Sequence, residues 1–287
     1  MENRTGFKTV DIGGFKGAIV GMRAPLKSYH KADSSYQQFW KKDENGIFKD
    51  SMQYVIGKND YDLAKKLIKA GPEHRKFLRG IVVTVEVKQS RGFLQEMDTY
   101  STRLYANSES TMHTLGKDEI SIEQFDYPAG ININADESFL NYIEELKAIQ
   151  EQMNSWEKGS EERELYHQLL KAMLPESWIQ TRYYCFSYET LRSMYKQRKN
   201  HRLPAWRIDF CNWIKTLPYS EFITGEFNEI NELPPLSGKI EKKRKDGTYG
   251  YVCKECGYPV GDHDGYCSEC GARIAGTCFY YGKEFDN

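Results

Sequence analysis

Residues 174–206 constrain the fold of this chain more than any other stretch. They read LPESWIQTRYYCFSYETLRSMYKQRKNHRLPAW. An apolar, aromatic, strand-like segment runs directly into a helical one, which Ser187 can cap because serine accepts hydrogen bonds from free N–H groups of a first turn. Glu189 in that turn suits the positive end of a helix. The stretch therefore predicts a strand joined without a loop to a helix.

One arginine of this helix lies on its apolar side. Arg198 shares helical spacing with Leu191, Met194 and Tyr195. Arg192 is expected on another side, where a charged side chain is ordinary. Two interpretations of Arg198 stay open. It is either a structural arginine that is paired or snorkels its apolar stem along the core, or a ligand for an anion or nucleobase.

The remaining pattern mixes strands and helices. The clearest strand is Gly80 to Lys88, GIVVTVEVK, whose residues are mostly β-branched. A short apolar run from Ala18 to Met22 predicts a further strand. Helical patterns cover residues 60–70, 93–97, 139–156, 160–173 and 206–217. In the helix at 160–173 we expect three residues inside: Leu165, Leu169 and Met173. Together these patterns predict an α+β fold.

A polar, tyrosine-rich stretch follows the clearest strand at residues 98–113. It is either a solvated loop or a recognition segment, because long polar connections in compact domains tend to be functional. Its donors and acceptors suit a polar ligand: Asp98, Tyr100, Tyr105, Asn107, Ser110 and His113.

Four cysteines near the C-terminus have the spacing of a metal site. Cys253 and Cys256 form one Cys-x2-Cys pair, Cys267 and Cys270 the other, with ten residues between them. Four thiolates suit tetrahedral Zn²⁺, and a site with no open position is structural. We therefore predict a zinc ribbon, with His263 as a loop residue between the pairs. Nucleic acid, another subunit or nothing at all are equally open as its partner.

Composition places the chain in a broad class. Aromatic residues make up 14% of it, as expected for a folded protein, and its net charge of −1 creates no general attraction to nucleic acid or membrane. The sequence shows no apolar run of membrane-spanning length and no signal-peptide core. Seven cysteines, three of them scattered outside the metal motif, are typical of a reducing compartment. We therefore predict a cytoplasmic protein with no membrane partner.

With both motif regions considered, the chain resembles the flavin-dependent thymidylate synthases. That family has a segment of the form VLP…TRFFWT.N.RSLMNFL.LR…H..WE, and a strand followed by RQ..RHR..S.NE.S.RY. Here VVTVEVK resembles the strand, and the resemblance covers roughly residues 60–216. The matching residues of the first segment are Leu174-Pro175, Thr181-Arg182, Leu191, Arg198, His201 and Trp206.

The resemblance implies a twisted sheet with long helices, a pyrimidine nucleotide such as dUMP as ligand, and FAD as hydride donor for its methylation to dTMP. It also implies a homo-oligomer, since family members are tetramers with sites at subunit interfaces. Arg198 corresponds to an arginine that contacts the pyrimidine, which makes it the candidate catalytic residue. Tyr100 and Ser187 are candidate cofactor-binding residues. The candidate substrate-binding residues are Tyr105, Asn107, Ser110, His113, Arg182, Arg198 and His201.

The departures from the family pattern concern cations. The family's RHR triplet falls near Thr99-Tyr100-Ser101, and its phosphate-gripping arginine falls near Glu189. Those cations hold flavin and nucleotide phosphates in the family, and charge-assisted hydrogen bonds are the strong ones. Three functions therefore remain: a divergent thymidylate synthase, a non-catalytic relative that binds a nucleotide or nucleic acid, or an interaction module acting through the zinc ribbon.

The predicted domains are an α+β domain at residues 1–232, a linker at 233–249 and the zinc ribbon at 250–287. The linker carries a basic run, Lys242 to Lys245. Such runs are usually solvated, and contact with nucleic acid is the alternative.

The metal motif generates a direct prediction. Freshly purified protein should contain about one zinc ion per chain by elemental analysis, because four thiolates complete a tetrahedral site. Much less than one ion per chain would show that the four cysteines do not form a zinc ribbon.

Overall fold

The computed structural model describes residues 5–42, 48–128, 131–132, 136–227, 237–243, 249–253, 259–260 and 274–275. The chain divides into two compact units. Unit 1 consists of Met1–Gly14 and Arg75–Gly225, and unit 2 of Phe15–His74 and Glu226–Asn287. The division predicted from the sequence, at residues 1–232, 233–249 and 250–287, stays a prediction. Within the described ranges, every helix is too short or too polar to cross a membrane.

Unit 1 is built on a four-stranded antiparallel sheet. Its strands are β1 (Gly6–Gly13), β4 (Val82–Ser90), β5 (Tyr105–Ser108) and β6 (Ile179–Ser187), in the order β1-β4-β6-β5. β4 confirms the strand predicted at residues 80–88. Strands β4 and β6 pair from Val82↔Ser187 to Ser90↔Ile179, so both are held along their whole length.

One face of this sheet carries the main core. Val83, Val85 and Val87 of β4 are fully buried, as are Tyr184 and Phe186 of β6. Helices α3 (Arg91–Asp98), α7 (Tyr188–Arg198) and α8 (Cys211–Thr216), with a π-helical turn at Ala205–Phe210, contribute further buried side chains. Burial of such side chains contributes about 1.5–3 kcal/mol each. The predicted cap of α7 is confirmed, since the Ser187 side chain accepts a hydrogen bond from the Thr190 N–H.

A second core lies between α5 (Glu137–Ser155) and α6 (Glu161–Met173). The prediction for α6 was partly wrong. Leu165 and Leu169 are 65% and 45% exposed, whereas Leu170 is fully buried and Tyr166 packs against the core. Two sets of apolar residues, one position apart, both follow helical spacing here. The sequence pattern cannot choose between them, and the packing against α5 does.

The described part of unit 2 contains a β-hairpin, two α-helices and a second sheet. The hairpin β2 (Ser35–Lys42) and β3 (Phe48–Val55) is antiparallel. The helices are α1 (Phe15–Gly21) and α2 (Lys58–Ala70). A second four-stranded sheet, ordered β10-β7-β8-β9, has these strands: β7 (Ser237–Lys243), β8 (Tyr249–Cys253), β9 (Pro259–Val260) and β10 (Ile274–Ala275).

One local prediction in unit 2 was wrong. Ala18 to Met22 was predicted as a strand, but most of this run belongs to α1, and the Met22 N–H donates to the Ala18 carbonyl at 3.0 Å. Short apolar runs do not distinguish strand from helix by pattern alone. β7 lies within the residues predicted to form a linker, 233–249, and the linker stays a prediction. Cys253 ends β8, while Cys256, Cys267 and Cys270 lie outside the described residues, and the zinc ribbon stays a prediction.

A buried ion pair organises the turns of unit 2. Asp60 is fully buried in α2, and its carboxylate accepts a hydrogen bond from Nε of Arg23, which is 3% exposed. The same carboxylate accepts from the backbone N–H groups of Asp33 and Ser34 at 3.1 and 3.0 Å. Burial acts to raise the pKa of Asp60, but its hydrogen bonds from Ser34, Arg23 and Asp33 outweigh this and lower it below 3.8.

We expect Asp60→Asn to lower the free energy of unfolding by about 3–5 kcal/mol, because it leaves the buried Arg23 guanidinium without a counter-charge. The matched control is Asp62→Asn, whose partner Lys58 lies 3.6 Å away on the surface. That change should cost about 0.5 kcal/mol or less. Urea denaturation of both variants measures the difference, and equal costs would contradict the role of Asp60.

The same ion pair predicts how stability depends on pH. The folded-state pKa of Asp60 lies below its ordinary value, so its contribution is fully present above that value. It is lost as the pH falls through the lowered pKa. Wild-type stability should therefore drop on acidification below about pH 4 more steeply than that of Asp60→Asn.

Candidate functional site

An acidic residue at the end of α3 binds two arginines of unit 1. Asp98 accepts hydrogen bonds from Nη1 of Arg182, and from the Tyr184 hydroxyl at 3.0 Å. Its backbone carbonyl accepts from Nη1 of Arg103 at 2.8 Å. Arg182 and Tyr184 alternate on β6 and therefore point to the same face of the sheet. The outcome is a compact charged cluster over the edge of the main core.

The protonation states in this cluster follow from burial and charge. Burial raises the pKa of Tyr184 to about 12, with Arg182 acting against this rise and Asp98 adding to it. Burial acts to lower the pKa of Arg182, but Tyr184 and Asp98 outweigh it and raise that pKa. Tyr184 is thus a neutral donor and Arg182 a permanent cation at neutral pH.

Arg198 lies at the centre of a second cluster. Its Nε donates to the Tyr100 hydroxyl at 2.7 Å and its Nη1 to Glu96 Oε2 at 3.0 Å. Nη1 also lies 2.9 Å from His201 Nε2, and the guanidinium carbon is 4.4 Å from the ring centroid of Trp206. The Trp206 indole N–H donates to the same Glu96 oxygen at 2.8 Å. Arg198 is therefore a paired arginine stacked on an aromatic ring.

A cleft of about 210 Å³ opens beside the Asp98 cluster. Its cations are Arg91, Lys171 and Arg182, against a single carboxylate among its lining residues, that of Glu109. Nε of Arg182 is buried and has no hydrogen-bond partner within the described part of the chain. The remaining lining residues are Gln95, Ser108, Thr111, Leu174 and Gln180. This cleft can accept an anion, and it is called the nucleotide cleft because of the ligand that we propose for it below.

The nucleotide cleft holds one of the residues proposed from the sequence to bind substrate, Arg182. Tyr105 and Asn107 lie elsewhere. In β5 they alternate with Ala106 and Ser108, and Ser108 is the residue paired with Arg182. Tyr105 and Asn107 therefore project from the opposite face of the sheet, where the Tyr105 hydroxyl lies 3.3 Å from Oγ1 of Thr84.

The other proposed substrate residues also lie apart from the nucleotide cleft. Ser110 is the residue preceding α4 (Thr111–Thr114), and its carbonyl accepts from the Thr114 N–H at 3.1 Å. His113 is exposed and lines a different cleft. His201 belongs to the Arg198 cluster. The structure thus distributes these residues over three places, and their roles toward a ligand stay predictions.

The residues proposed for the cofactor are used inside the protein. The Tyr100 hydroxyl accepts from Arg198 and donates to Gln197 Oε1 at 3.0 Å. Ser187 is buried, and its hydroxyl caps α7. Glu189, at the place of the family's phosphate-gripping arginine, forms a bidentate pair with Arg75 at 2.8 and 2.9 Å. A diphosphate bound in the family manner would meet a carboxylate here, so the residues do not fit FAD in that mode.

Several residues of the nucleotide cleft escaped the sequence analysis. Arg91 and Gln95 are one helical turn apart on α3, on a side away from its buried Phe93, Leu94 and Met97. Lys171 lies in the last turn of α6. The i, i+4 spacing of Arg91 and Gln95 was a usable signal, but nothing in the sequence showed that α6 ends beside α3. Among the described residues, no group of His, Cys, Asp and Glu is arranged to hold a metal ion.

The fold is that of the flavin-dependent thymidylate synthases. Two crystal structures of thymidylate synthase X from Helicobacter pylori, each with FAD and dUMP, resemble this chain with a TM-score of 0.55. In the first the identity is 15%, covering 77% of this chain and 98% of the enzyme. In the second the identity is 14%, covering 78% and 100%. No protein-family model and no curated protein matches the sequence.

The Arg198 cluster leads to a prediction on stability. Glu96→Ala should lower the free energy of unfolding by about 1–3 kcal/mol, because it removes the acceptor of both Arg198 and the Trp206 indole. Urea unfolding followed by tryptophan fluorescence measures this. Glu144→Ala is the control, since its side chain is 68% exposed and pairs with Lys147 on the surface. Identical unfolding midpoints in the two variants would contradict a structural role for Glu96.

Proposed function

We propose that unit 1 binds a pyrimidine nucleotide of the dUMP type, with its phosphate in the nucleotide cleft. The fold is the first support, since the Helicobacter pylori structures that share it contain dUMP. The cleft chemistry is the second. Arg91 and Lys171 have no carboxylate partner among the described residues, whereas Arg182 is paired with Asp98, and Glu109 is the one carboxylate of the lining. Two unpaired cations against one carboxylate favour an anionic ligand, and the hydroxyls of Ser108 and Thr111 are suitable hydrogen-bond partners for phosphate oxygens.

The observation that carries this proposal is the Nε–H of Arg182. It is buried and without an acceptor among the described residues, although most buried polar groups are paired. The side chain is otherwise held by Asp98, and Arg182 is one of the residues that line the cleft. An anion at the wall of the cleft would supply the missing acceptor.

The size of the cleft limits how much of the ligand it holds. Pockets for complete small molecules are typically about 300–1,000 Å³. A volume of about 210 Å³ suits a phosphate with part of its sugar. We propose that the base lies outside the cleft, and that Arg198 acts on the ligand only indirectly, by holding Glu96, Tyr100 and Trp206 in place.

We further propose that this protein does not bind FAD in the manner of the family. Glu189 with its partner Arg75, and the internally bonded Tyr100 and Ser187, support this. The function is then nucleotide binding on a thymidylate synthase fold, with flavin-dependent methylation of dUMP as the alternative. The homo-oligomer, the zinc ribbon and contact with nucleic acid through residues 233–287 remain proposals from the sequence.

Titration calorimetry with dUMP tests the proposal. Lys171→Ala should weaken binding about tenfold, because it removes one of three cations from the cleft while leaving an exposed position easy to substitute. The control is Lys215→Ala, an exposed lysine in the last turn of α8. Uridine, which lacks the phosphate, should bind much more weakly than dUMP. Unchanged affinity in Lys171→Ala would contradict the site, and absence of dUMP binding by wild type would contradict the function.

A separate measurement, of flavin fluorescence, tests the proposal that the protein does not bind FAD in the manner of the family. Purified protein mixed with FAD should leave the fluorescence of the flavin unchanged, while dUMP still binds. A saturable change in flavin fluorescence that dUMP alters would favour the methylation alternative.

A further inference from the structure

A second cleft, of about 550 Å³, lies in unit 1 and shares no lining residue with the nucleotide cleft. Three segments form it: α4 with the turn after it, the end of α5 with the turn that follows, and the first half of α6. Its basic residues are His113, Lys117, Lys158, Arg163 and His167. Among its lining residues Glu164 is the acid, so three permanent cations face one carboxylate.

Arg163 gives this cleft a fixed positive charge. Its Nη1 donates to the carbonyls of Met153 and Trp156 at 2.8 and 3.1 Å, and its Nη2 to the amide oxygen of Asn154 at 3.0 Å. These acceptors are neutral groups at the end of α5. The hydrogen bonds therefore orient the guanidinium without cancelling its full charge.

Other arginines of unit 1 are treated differently. Arg182 pairs with Asp98, and Arg75 pairs with Glu189. In both, a carboxylate on a neighbouring element neutralises the guanidinium. Arg163 has no carboxylate within ion-pair distance among the described residues, so its charge is not neutralised in this way.

Two glycines, Gly116 and Gly159, line the second cleft. Gly116 packs so closely that a Cβ there would lie 3.1 Å from Met153 Cε and 3.4 Å from Arg163 Nη2. Gly159, in the turn before α6, has a φ of +90°, which favours glycine. A side chain at Gly116 would press on Asn154 and Met153, which accept hydrogen bonds from Arg163, and one at Gly159 would strain the turn that carries Lys158.

The surroundings favour a small ligand over a long polyanion. The first turn of α6 carries Glu161, Glu162 and Glu164, and Glu157 precedes it. A nucleic-acid strand passing over the cleft would meet these carboxylates, and like charges repel. A compact anion can reach the cations without approaching all of them.

We propose that the second cleft binds a small phosphate-bearing ligand, independently of the nucleotide cleft. Helix α4 lies between the two: Thr111 lines one, and Met112 and His113 line the other. Substitutions in α4 would therefore disturb both clefts. Lys117 and Lys158 line only the second, and they are the residues with which to test it.

The test uses the full chain and inorganic pyrophosphate, with binding followed by titration calorimetry. The background variant is Lys171→Ala, which weakens the nucleotide cleft. Adding Lys117→Ala and Lys158→Ala should weaken pyrophosphate binding about tenfold or more, since two of three permanent cations are removed. The matched control adds Lys199→Ala and Lys215→Ala, two exposed lysines elsewhere in unit 1, and should keep the affinity.

A second variant separates a cleft from a merely positive surface. Gly116→Ala keeps every charge but presses on Asn154 Oδ1, which holds Arg163 Nη2, so it should also weaken pyrophosphate binding; thermal unfolding checks its fold. No pyrophosphate binding, equal affinity in the two triple variants, or an unaffected Gly116→Ala would each overturn the proposal. So would tighter binding of a single-stranded oligonucleotide with the same lysine dependence. Failure of dUMP binding alone would leave this proposal standing, because the two clefts are tested with different residues.

Discussion

The main core of unit 1, the direction of α7 and the positions of two key arginines all depend on the pairing of β4 with β6. The two strands are hydrogen-bonded from one end to the other, and their buried side chains form the main core. At the end of the ladder Ser187 finishes β6 and caps α7, so the helix leaves the sheet in a direction that the strand already defines. The N–H of Tyr188 donates to the Ile81 carbonyl at 2.9 Å, which ties this corner to β4. Arg182 and Arg198 take their positions from this one strand–helix unit.

Internal carboxylates decide what these arginines can do. Asp98, Glu96 and Glu189 each pair with an arginine from a distant part of the sequence: Arg182, Arg198 and Arg75. An arginine paired in this way contributes orientation and little free charge. This is why the fold of a flavin- and nucleotide-binding enzyme does not by itself imply that flavin phosphates are held here. Nε of Arg182 is the exception, since it is buried without a hydrogen-bond partner among the described residues, and Arg182 is one of the residues that line the nucleotide cleft.

Local features of the chain were predictable wherever local physics dominates. The alternating β-branched residues of β4, the cap at Ser187 and the buried stripe of α3 all follow from neighbours in sequence. Choices between equivalent patterns were not predictable. Arg192 was expected on the charged side of α7, yet it is 7% exposed and donates to the carbonyls of Phe222 and Ile223. Those carbonyls belong to the last turn of α9 (Glu221–Thr224). The carbonyl end of a helix attracts a cation, but it is the tertiary structure that brings Arg192 to this helix.

The sequence by itself determined the elements, the family resemblance and the residue types available for chemistry, because periodicity, capping and motif spacing are properties of nearby residues. It also showed that cations typical of the family are missing. Only the tertiary structure decided which faces those elements bury, which arginines have carboxylate partners, and that Arg91, Lys171 and Arg182 meet in one cleft. Such encounters join residues tens of positions apart, and their geometry depends on the packing of whole helices against the sheet. For the same reason Tyr105 and Asn107, close to Arg182 along the strand ladder, lie on the far side of the sheet from it.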